Sequence, residues 1–509
     1  MAARSNMPGL PRYRFLITLA TRLRAPGRDV LTASRTGRRP AGAVLSCLAV
    51  FSVTAAMPAA ASTPGAAHTP PSCSQPSRNS PPPPPGPTTV TTIGQAYSCI
   101  LANYYSGPVL DDRLLLAGAF AGLAQELQVL GADQPDATMP ALTGSHDSDW
   151  TAFAAVYQQV ISKLPAADVQ QAGAATITGM IAALHDNHAH WQYPQPSPPG
   201  TSGDDTYGLG INTSPAPGLA ENAPDEALPP LTVTSVDPGS PAARAGIRTG
   251  DVITTVNGAP PFTDGQLSPG VFSLLNESYP QRQALRITLR WPVTGATRTI
   301  TINPAVYKAA TAMTSRLLDG HIADIELPMF YRGSASQVLA AISSLAKTAA
   351  LHGVILDLRG NGGGSVDEVT HLVGALEHGT PWSYDCTVTG HCTANYPDPA
   401  TPLLHLPLVV FTDRNCASAC DAFSGAVKDL HLGILIGTRT AGGVSGPGTL
   451  WALDDGSFLS LPAEHEVSAA HEIINGIGVA PDYYVPLTAS DLASGHDPDL
   501  AKALTLLGG

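Results

Sequence analysis

The sequence predicts an α/β core, a mixed sheet covered by helices, with a β-rich module ahead of it and a helical domain ahead of that. Three observations predict it. From Gly320 onward, short unbroken apolar stretches at 354–358, 408–411 and 434–436 alternate with helical periodicity, the pattern of buried strands under helices. Between 207 and 304 the apolar period shortens to two, as in half-buried strands. Between 91 and 184 apolar residues recur at helical spacing.

The elements follow in chain order. Arg35, Arg38 and Arg39 precede an apolar run over 41–57 and then Ala59, Ala60 and Ala61, the order of a secretory leader, so 1–61 is expected to be a targeting segment lost on export. The run is shorter than the ~20 apolar residues that span a bilayer; a membrane anchor is the alternative reading of the same residues. The stretch from Met1 to these arginines is longer than leaders usually carry, which points to a start downstream. Residues 62–90 are rich in Pro, Ser and Thr, with Pro81 to Pro85 unbroken, and are expected to be a disordered, semi-rigid linker. A helical domain is expected over 91–195, with helices near 114–130, 150–164 and 168–184. The β-rich module spans 205–304, with alternation at 231–236, a short helix at Pro241-Ala242-Ala243, a tight Asn257-Gly258 turn, and strands at 285–289 and 297–302. The core covers 310–490 and opens with a strand at 322–327 and a helix at 336–349, whose Val338, Leu339, Ile342 and Leu345 share one face. Residues 491–509 remain as a C-terminal tail.

Hydrophobic residues make up 43% of the chain and charged ones 13%, which excludes wholesale disorder. A net charge of −13 without any dense Lys/Arg run argues against a nucleic-acid partner. Loss of the leader removes Cys47 and leaves Cys73, Cys99, Cys386, Cys392, Cys416 and Cys420, an even set that permits disulfides in an exported protein. Cys386 and Cys392 flank a short glycine-containing loop and are the favoured pair. Cys73 with Cys99 would tie the linker to the first helix, and Cys416 with Cys420 would straddle Ser418. Their spacing does not match a structural zinc site.

Three loops of the core follow buried strands, where sites of open α/β sheets gather. Asp357-Leu358-Arg359-Gly360-Asn361-Gly362-Gly363-Gly364 offers consecutive main-chain amides, an anion nest or oxyanion hole, although a flexible turn gives the same pattern. Asn415-Cys416-Ala417-Ser418-Ala419-Cys420-Asp421 puts a serine at a strand-to-helix junction, where the helix dipole favours an alkoxide; a simple helix cap is the bland alternative. The third loop is Gly437-Thr438-Arg439-Thr440-Ala441-Gly442-Gly443.

In this order, and followed by Gly478-Val479-Ala480-Pro481-Asp482, these motifs resemble the tail-specific and tricorn-type serine peptidases. The resemblance covers about 91–485 and implies a Clp-protease/crotonase-like α/β core. Within it, Pro241-Ala242-Ala243-Arg244-Ala245-Gly246-Ile247 and Gly250-Asp251-Val252-Ile253 resemble a PDZ domain, with Gly208, Leu209, Gly210 and Ile211 at its carboxylate-binding loop. Such a loop takes a peptide terminus, and the adjoining sheet edge takes the peptide as an added strand.

The resemblance implies that Ser418 is the nucleophile, with the amides of Ala419 and of Gly362 or Gly363 as oxyanion donors. The tail-specific branch carries its general-base lysine at the end of the third loop, where this sequence has Gly443. The tricorn-type branch uses a histidine from an Asp-x-His element, matched by Asp186-Asn187-His188, so His188 is assigned as base. His185 and His190 are its rivals, and together the three histidines make a conceivable metal cluster. The third member, a glutamate in that branch, aligns with Asn475, while Glu472 lies three residues earlier; both stay open. Lys428 is expected on the surface. The reading is an exported serine endopeptidase acting on a protein or peptide, through its C-terminus where the PDZ-like module captures it, without metal or organic cofactor. The alternatives are a non-catalytic binder of hydrophobic ligands or peptides on the same fold, as in relatives resembling the interphotoreceptor retinoid-binding protein, and a PDZ scaffold.

Overall fold

A computed structural model describes residues 72–76, 84–194, 198–199, 201, 205–215, 228–276, 279–280, 282–308, 313–446 and 448–508. The targeting segment expected over 1–61 lies outside them.

The central sheet has six strands in the order Thr314–Leu318, Ile322–Glu326, Gly353–Asp357, Leu408–Thr412, Ile434–Gly437 and Tyr483–Tyr484. The first pairs antiparallel with the second and all later pairings are parallel. The parallel strands read as apolar runs because both of their faces are covered. Leu356, Val410 and Leu435 enter a cluster with helices Ser334–Ala346, Val366–Gly374 and Ala419–Asp429. Ile355, Val409, Phe411 and Ile436 enter a second cluster, closed by Leu500, Ala503, Leu504 and Leu507 of helix Pro498–Leu507.

The stretch 491–509, expected to be a tail, is therefore a structural layer. Its sequence carried the signals: Asp497 caps, Pro498 opens, the apolar residues recur at helical spacing, and Gly508 closes in the left-handed conformation. Arg359 fixes this layer to the core through Asp357, Asp497 and Asp499 at 2.5, 2.9 and 3.0 Å.

The β-rich module is a five-stranded antiparallel sheet ordered Ile211–Ser214, Leu231–Val236, Val252–Val256, Leu285–Arg290, Thr297–Ile302. Asn257 and Gly258 both have positive φ, 52° and 91°, as a tight turn of this sequence favours. Val233, Ile253, Ile287 and Leu289 pack on Phe272 and Leu275 of helix Pro269–Leu275. Ile211–Ser214 is an edge strand of this sheet.

Helices Val90–Asn103, Asp112–Val129, His146–Ile161 and Ala166–Ala182 form the helical region. The second and fourth approach so closely that a Cβ on Gly118 would lie 2.5 Å from the Gly179 carbonyl. The helical domain expected over 91–195 shares its core with a later part of the chain. Leu453, Leu459 and Leu461 share its core, from the hairpin made by Gly448–Ala452 and Phe458–Pro462. Strand His190–Gln192 adds to that hairpin, Trp191 opposite Leu459.

Nor are the described parts of the linker 62–90 loose. Cys73 is bonded to Cys99, Ala452 N–H donates to Ser74, Gly86 N–H donates to the Asp455 carbonyl at 2.8 Å, and Thr88 Oγ1 donates to Asp455 Oδ2 at 2.7 Å. Composition cannot register partners so distant in sequence. Disulfides Cys386–Cys392 and Cys416–Cys420 are also formed.

Candidate active site

Ser418 stands between strand Leu408–Thr412 and helix Ala419–Asp429, with φ +56°. A non-glycine residue in this region is strained and persists only where its surroundings over-determine it. Here they do. Ser418 N–H donates to Asp421 Oδ2 at 3.0 Å, Ala417 N–H donates to the Asn361 carbonyl at 3.0 Å, and the Cys416–Cys420 bridge closes the turn. Gly363, at φ +104°, packs so close that a Cβ there would lie 2.6 Å from Ser418 Cβ. That proximity explains the glycine at this position.

The glycine loop divides its amides. Gly363 N–H donates to Asn361 Oδ1 at 2.8 Å and is spent. Among the described residues neither Gly362 N–H nor Ala419 N–H has an acceptor. Of the pair left open by the sequence, Gly362 is thus the one with a free donor.

His188 comes from a distant part of the chain, between helix Ala166–Ala182 and strand His190–Gln192. Its Nε2 is 3.4 Å from Ser418 Oγ, long for a hydrogen bond but within the range over which catalytic pairs tighten when substrate binds. The ring's other nitrogen is fixed by a neighbour that the sequence reading passed over. Asn187 Nδ2 donates to the Gly442 carbonyl at 3.2 Å, which leaves Asn187 Oδ1 to accept from His188 Nδ1 at 2.7 Å. A backbone carbonyl can only accept, so this contact decides the orientation of the Asn187 amide and with it the His188 tautomer. The proton sits on Nδ1 and the Nε2 lone pair faces Ser418. Burial, with His190 and His465 nearby, holds the His188 pKa below its ordinary value against the opposing pull of Asp186, so the ring is neutral at pH 7.

Asp186 supports the same segment. It accepts from the His188 amide at 2.8 Å and from Tyr104 hydroxyl at 2.9 Å, with His465 Nε2 at 3.5 Å. Burial pushes its carboxyl up, but these donors outweigh burial and hold it below the usual range.

Asn475 reaches the site indirectly: its amide abuts Asn187 at 2.9 Å. Glu472 is not brought in. It is exposed, its main chain pairs with Ser468, and among the described residues its carboxylate has no hydrogen-bond or ion-pair partner. His185 lies beyond the end of helix Ala166–Ala182 with φ +51°, and His190 lies in the strand opposite Ser460. Among the described residues no group of three or more His, Cys, Asp or Glu side chains is arranged to hold a metal. Lys428 ties its helix to the Ala480 carbonyl and Asp482, at 2.8 and 3.1 Å.

The two late motifs interlock, which accounts for their glycines. A Cβ on Gly442 would lie 2.5 Å from Gly478 N, and one on Gly478 would lie 2.3 Å from the Thr440 carbonyl. At Gly443 a Cβ would stand 3.9 Å from both Ser418 N and Asp421 Oδ2, so a side chain at this position would start beside the nucleophile.

In the β-rich module Gly210, at φ +76°, passes so close to Ser240 that a Cβ would overlap it, and Leu209 is buried. The Leu209 carbonyl accepts from Ala242 N–H, the Gly210 carbonyl accepts from Asp237 N–H, and Ile211 starts the edge strand, with Gly208 at φ +153° before it. From that edge the Thr213 carbonyl accepts from Asn415 Nδ2 at 3.4 Å, three positions before Ser418.

The chain thus sets a β-rich module ahead of an α/β core with a serine on a strained strand-to-helix turn. Residues 321–485 match peptidase family S41, and residues 232–268 match the PDZ domain. The chain is 30% identical over 277 residues to the chloroplastic C-terminal processing peptidase of Tetradesmus obliquus, covering 50% of this chain and 56% of that protein. It is 27% identical over 320 residues to the chloroplastic carboxyl-terminal-processing peptidase 2 of Arabidopsis thaliana, covering 61% and 60%. The tricorn protease of Thermoplasma volcanium is 32% identical over 160 residues, 31% of this chain and 15% of that one. The chain therefore spans less than two thirds of the length of these relatives. Among solved structures, the photosystem II D1 C-terminal processing protease superposes with a TM-score of 0.50 at 23% identity, over 82% of this chain and 97% of that one, a likeness of fold. No helix among the described residues is long and apolar enough to cross a membrane.

Proposed function

We propose that the protein is a serine endopeptidase that processes protein or peptide substrates outside the cytoplasm, with Ser418 as nucleophile and His188 as general base. The observation that carries this reading is a strained Ser418 facing the unprotonated nitrogen of a neutral, tautomer-fixed His188 at 3.4 Å. Ser418 Oγ attacks the scissile carbonyl while His188 Nε2 takes its proton. The oxyanion is received by the amides of Gly362 and Ala419, the latter at a helix N-terminus whose dipole favours negative charge. His188 then passes the proton to the leaving amine, and water hydrolyses the acyl-enzyme by the same relay. Asn187 holds the imidazole and Asn475 backs Asn187. A histidine takes over the task of the lysine that Gly443 replaces. The PDZ module, by its Gly208–Ile211 loop and open edge strand, receives an extended segment or C-terminus of the substrate. The leader-like segment 1–61 supports export, and the chloroplastic processing peptidases among the relatives fit a role away from the cytosol.

The test is covalent labelling with a fluorophosphonate, followed by peptide mapping and a casein cleavage assay. Ser418 is expected to carry the adduct, and Ser418→Ala to lose both label and cleavage. His188→Ala should lower the labelling rate by about 10²- to 10⁴-fold, while His185→Ala leaves it unchanged. A protein without label at Ser418, whose casein cleavage survives Ser418→Ala, is not this enzyme. A protein with neither label nor cleavage is a binding protein on this fold.

A further inference from the structure

Asp421 does more than cap a helix. It is fully buried at the third position of helix Ala419–Asp429. Its Oδ2 accepts from Ser418 N–H at 3.0 Å and from Gly443 N–H at 2.8 Å, and its Oδ1 accepts from Gly442 N–H at 2.9 Å. The Thr440 hydroxyl is a further donor. A capping carboxylate needs only the amides of its own helix start. This one also reaches a separate loop, 21 and 22 residues away, and takes both amides at its tip. The same Gly442 carries, on its carbonyl, the Asn187 amide that sets the His188 tautomer. A continuous path thus runs Ser418, Asp421, Gly442, Asn187, His188, each link a hydrogen bond of 3.2 Å or less.

We propose that Asp421 is a positioning residue, whose ionised carboxylate locks the nucleophile turn to the loop that orients His188 and so holds serine and base in one register. This rests on the peptidase reading above. Without the carboxylate, Gly442 and Gly443 lose their anchor, Asn187 loses a fixed acceptor, and His188 samples positions away from Ser418. The arrangement occupies the place where a lysine would otherwise supply the base: here that position is a glycine whose backbone, not its side chain, serves the site.

Protonation of Asp421 should undo this lock, because a carboxylic acid cannot accept all of these donors. Burial pushes the Asp421 carboxyl up to about 6, although Thr440 and the three amides pull it down. The charged groups around it do not reverse this. On the neighbouring strand Glu466 is pushed up to about 8, by burial first and then by Asp385 and Asp421, so it is neutral at pH 7. From the loop, Arg439 turns its guanidinium to the carbonyls of Ile477 and Gly478. Across Asn187 stands His188, whose pKa is lowered. Acidification through about pH 6 therefore removes the Asp421 anion, and protonation of His188, whose pKa is held below its ordinary value, removes a second required state, so below both transitions the acid limb should approach a slope of two on a logarithmic plot.

The experiment measures fluorophosphonate labelling rates of the full chain from pH 4.5 to 8, with circular dichroism at each pH. Asp421→Asn should label about 10- to 100-fold more slowly at pH 7.5, the usual cost of misplacing a reacting group, and its acid limb should fall to a slope of one. If the variant does not fold, the wild-type profile decides alone: a slope of one with unchanged circular dichroism refutes the role. Equal rates and equal slopes in wild type and variant also refute it, leaving the peptidase reading intact. Wild-type protein that takes no label at any pH removes both.

Discussion

His188 is held by an amide where serine peptidases often use a carboxylate. Asn187 fixes which nitrogen carries the proton, but it does not stabilise the imidazolium that forms when Ser418 is deprotonated. Burial and two nearby histidines already depress the His188 pKa, so the ring should be unprotonated at pH 7. Asn187→Asp places an anion on Nδ1. An opposite charge favours imidazolium, so the His188 pKa rises and the acid limb of fluorophosphonate labelling should move to higher pH by about one unit or more. An unmoved limb would show that Asn187 does not face the base. That Ser418 and His188 belong together was legible in the sequence from motif order, and the structure brings them to 3.4 Å. Asn187 stood inside the same motif but was not legible, because its role depends on a Gly442 carbonyl brought up only by folding. Glu472 illustrates the converse. Its chemistry suited the task and its position in sequence was close, but its loop turns back on Ser468 and leaves it exposed.

At the scale of elements, periodicity found the parallel strands and the helices over them, because a buried strand and an amphipathic helix each leave a local signature. It did not find what joins the helical region to the core. The three leucines of the late hairpin sit in the helical cluster, and strand His190–Gln192 extends that hairpin immediately after His188. The hairpin is thus the element that anchors the chain immediately after His188. Leu459 is the sharpest probe: fully buried, opposite Trp191, and remote from the chemistry of Ser418. Leu459→Ala should lose about 2–5 kcal/mol, the range for a large-to-small change in a close-packed core, read from urea unfolding by tryptophan fluorescence. Because the strand after His188 loses its support, the labelling rate should fall as well, at temperatures where the variant is still folded. A lowered unfolding midpoint with wild-type labelling would mean that the hairpin stabilises the protein without placing the base.

For the molecule as a whole, contacts at Gly250 and Thr213 set the PDZ module against the core. Gly250, at φ +88°, meets helix Ala489–Ser494 so closely that a Cβ would lie 2.5 Å from Ala493 N, and Asn415 grips the edge strand at Thr213. The C-terminal segment is therefore a shared floor, clamped to the core by Arg359 on one side and touched by the module on the other. This docking sets the edge strand Ile211–Ser214 against the loop that carries Ser418, so under the proposed function a peptide captured by the module would be delivered close to Ser418. Delivery and chemistry are then separable. Gly250→Val puts a side chain into Ala493 and a strained φ into the turn, which should displace the module without touching Ser418, His188 or Asp421. Its fluorophosphonate labelling should stay within about twofold of wild type, since the probe needs no captured peptide. Casein cleavage should show a KM raised about tenfold with little change in kcat, the signature of lost uniform binding. Faster limited proteolysis between the module and the core would report that the docking has been broken. Should that release occur with casein KM unchanged, the module is not the part that captures substrate. Should labelling fall in step with cleavage, the module helps to shape the active site itself.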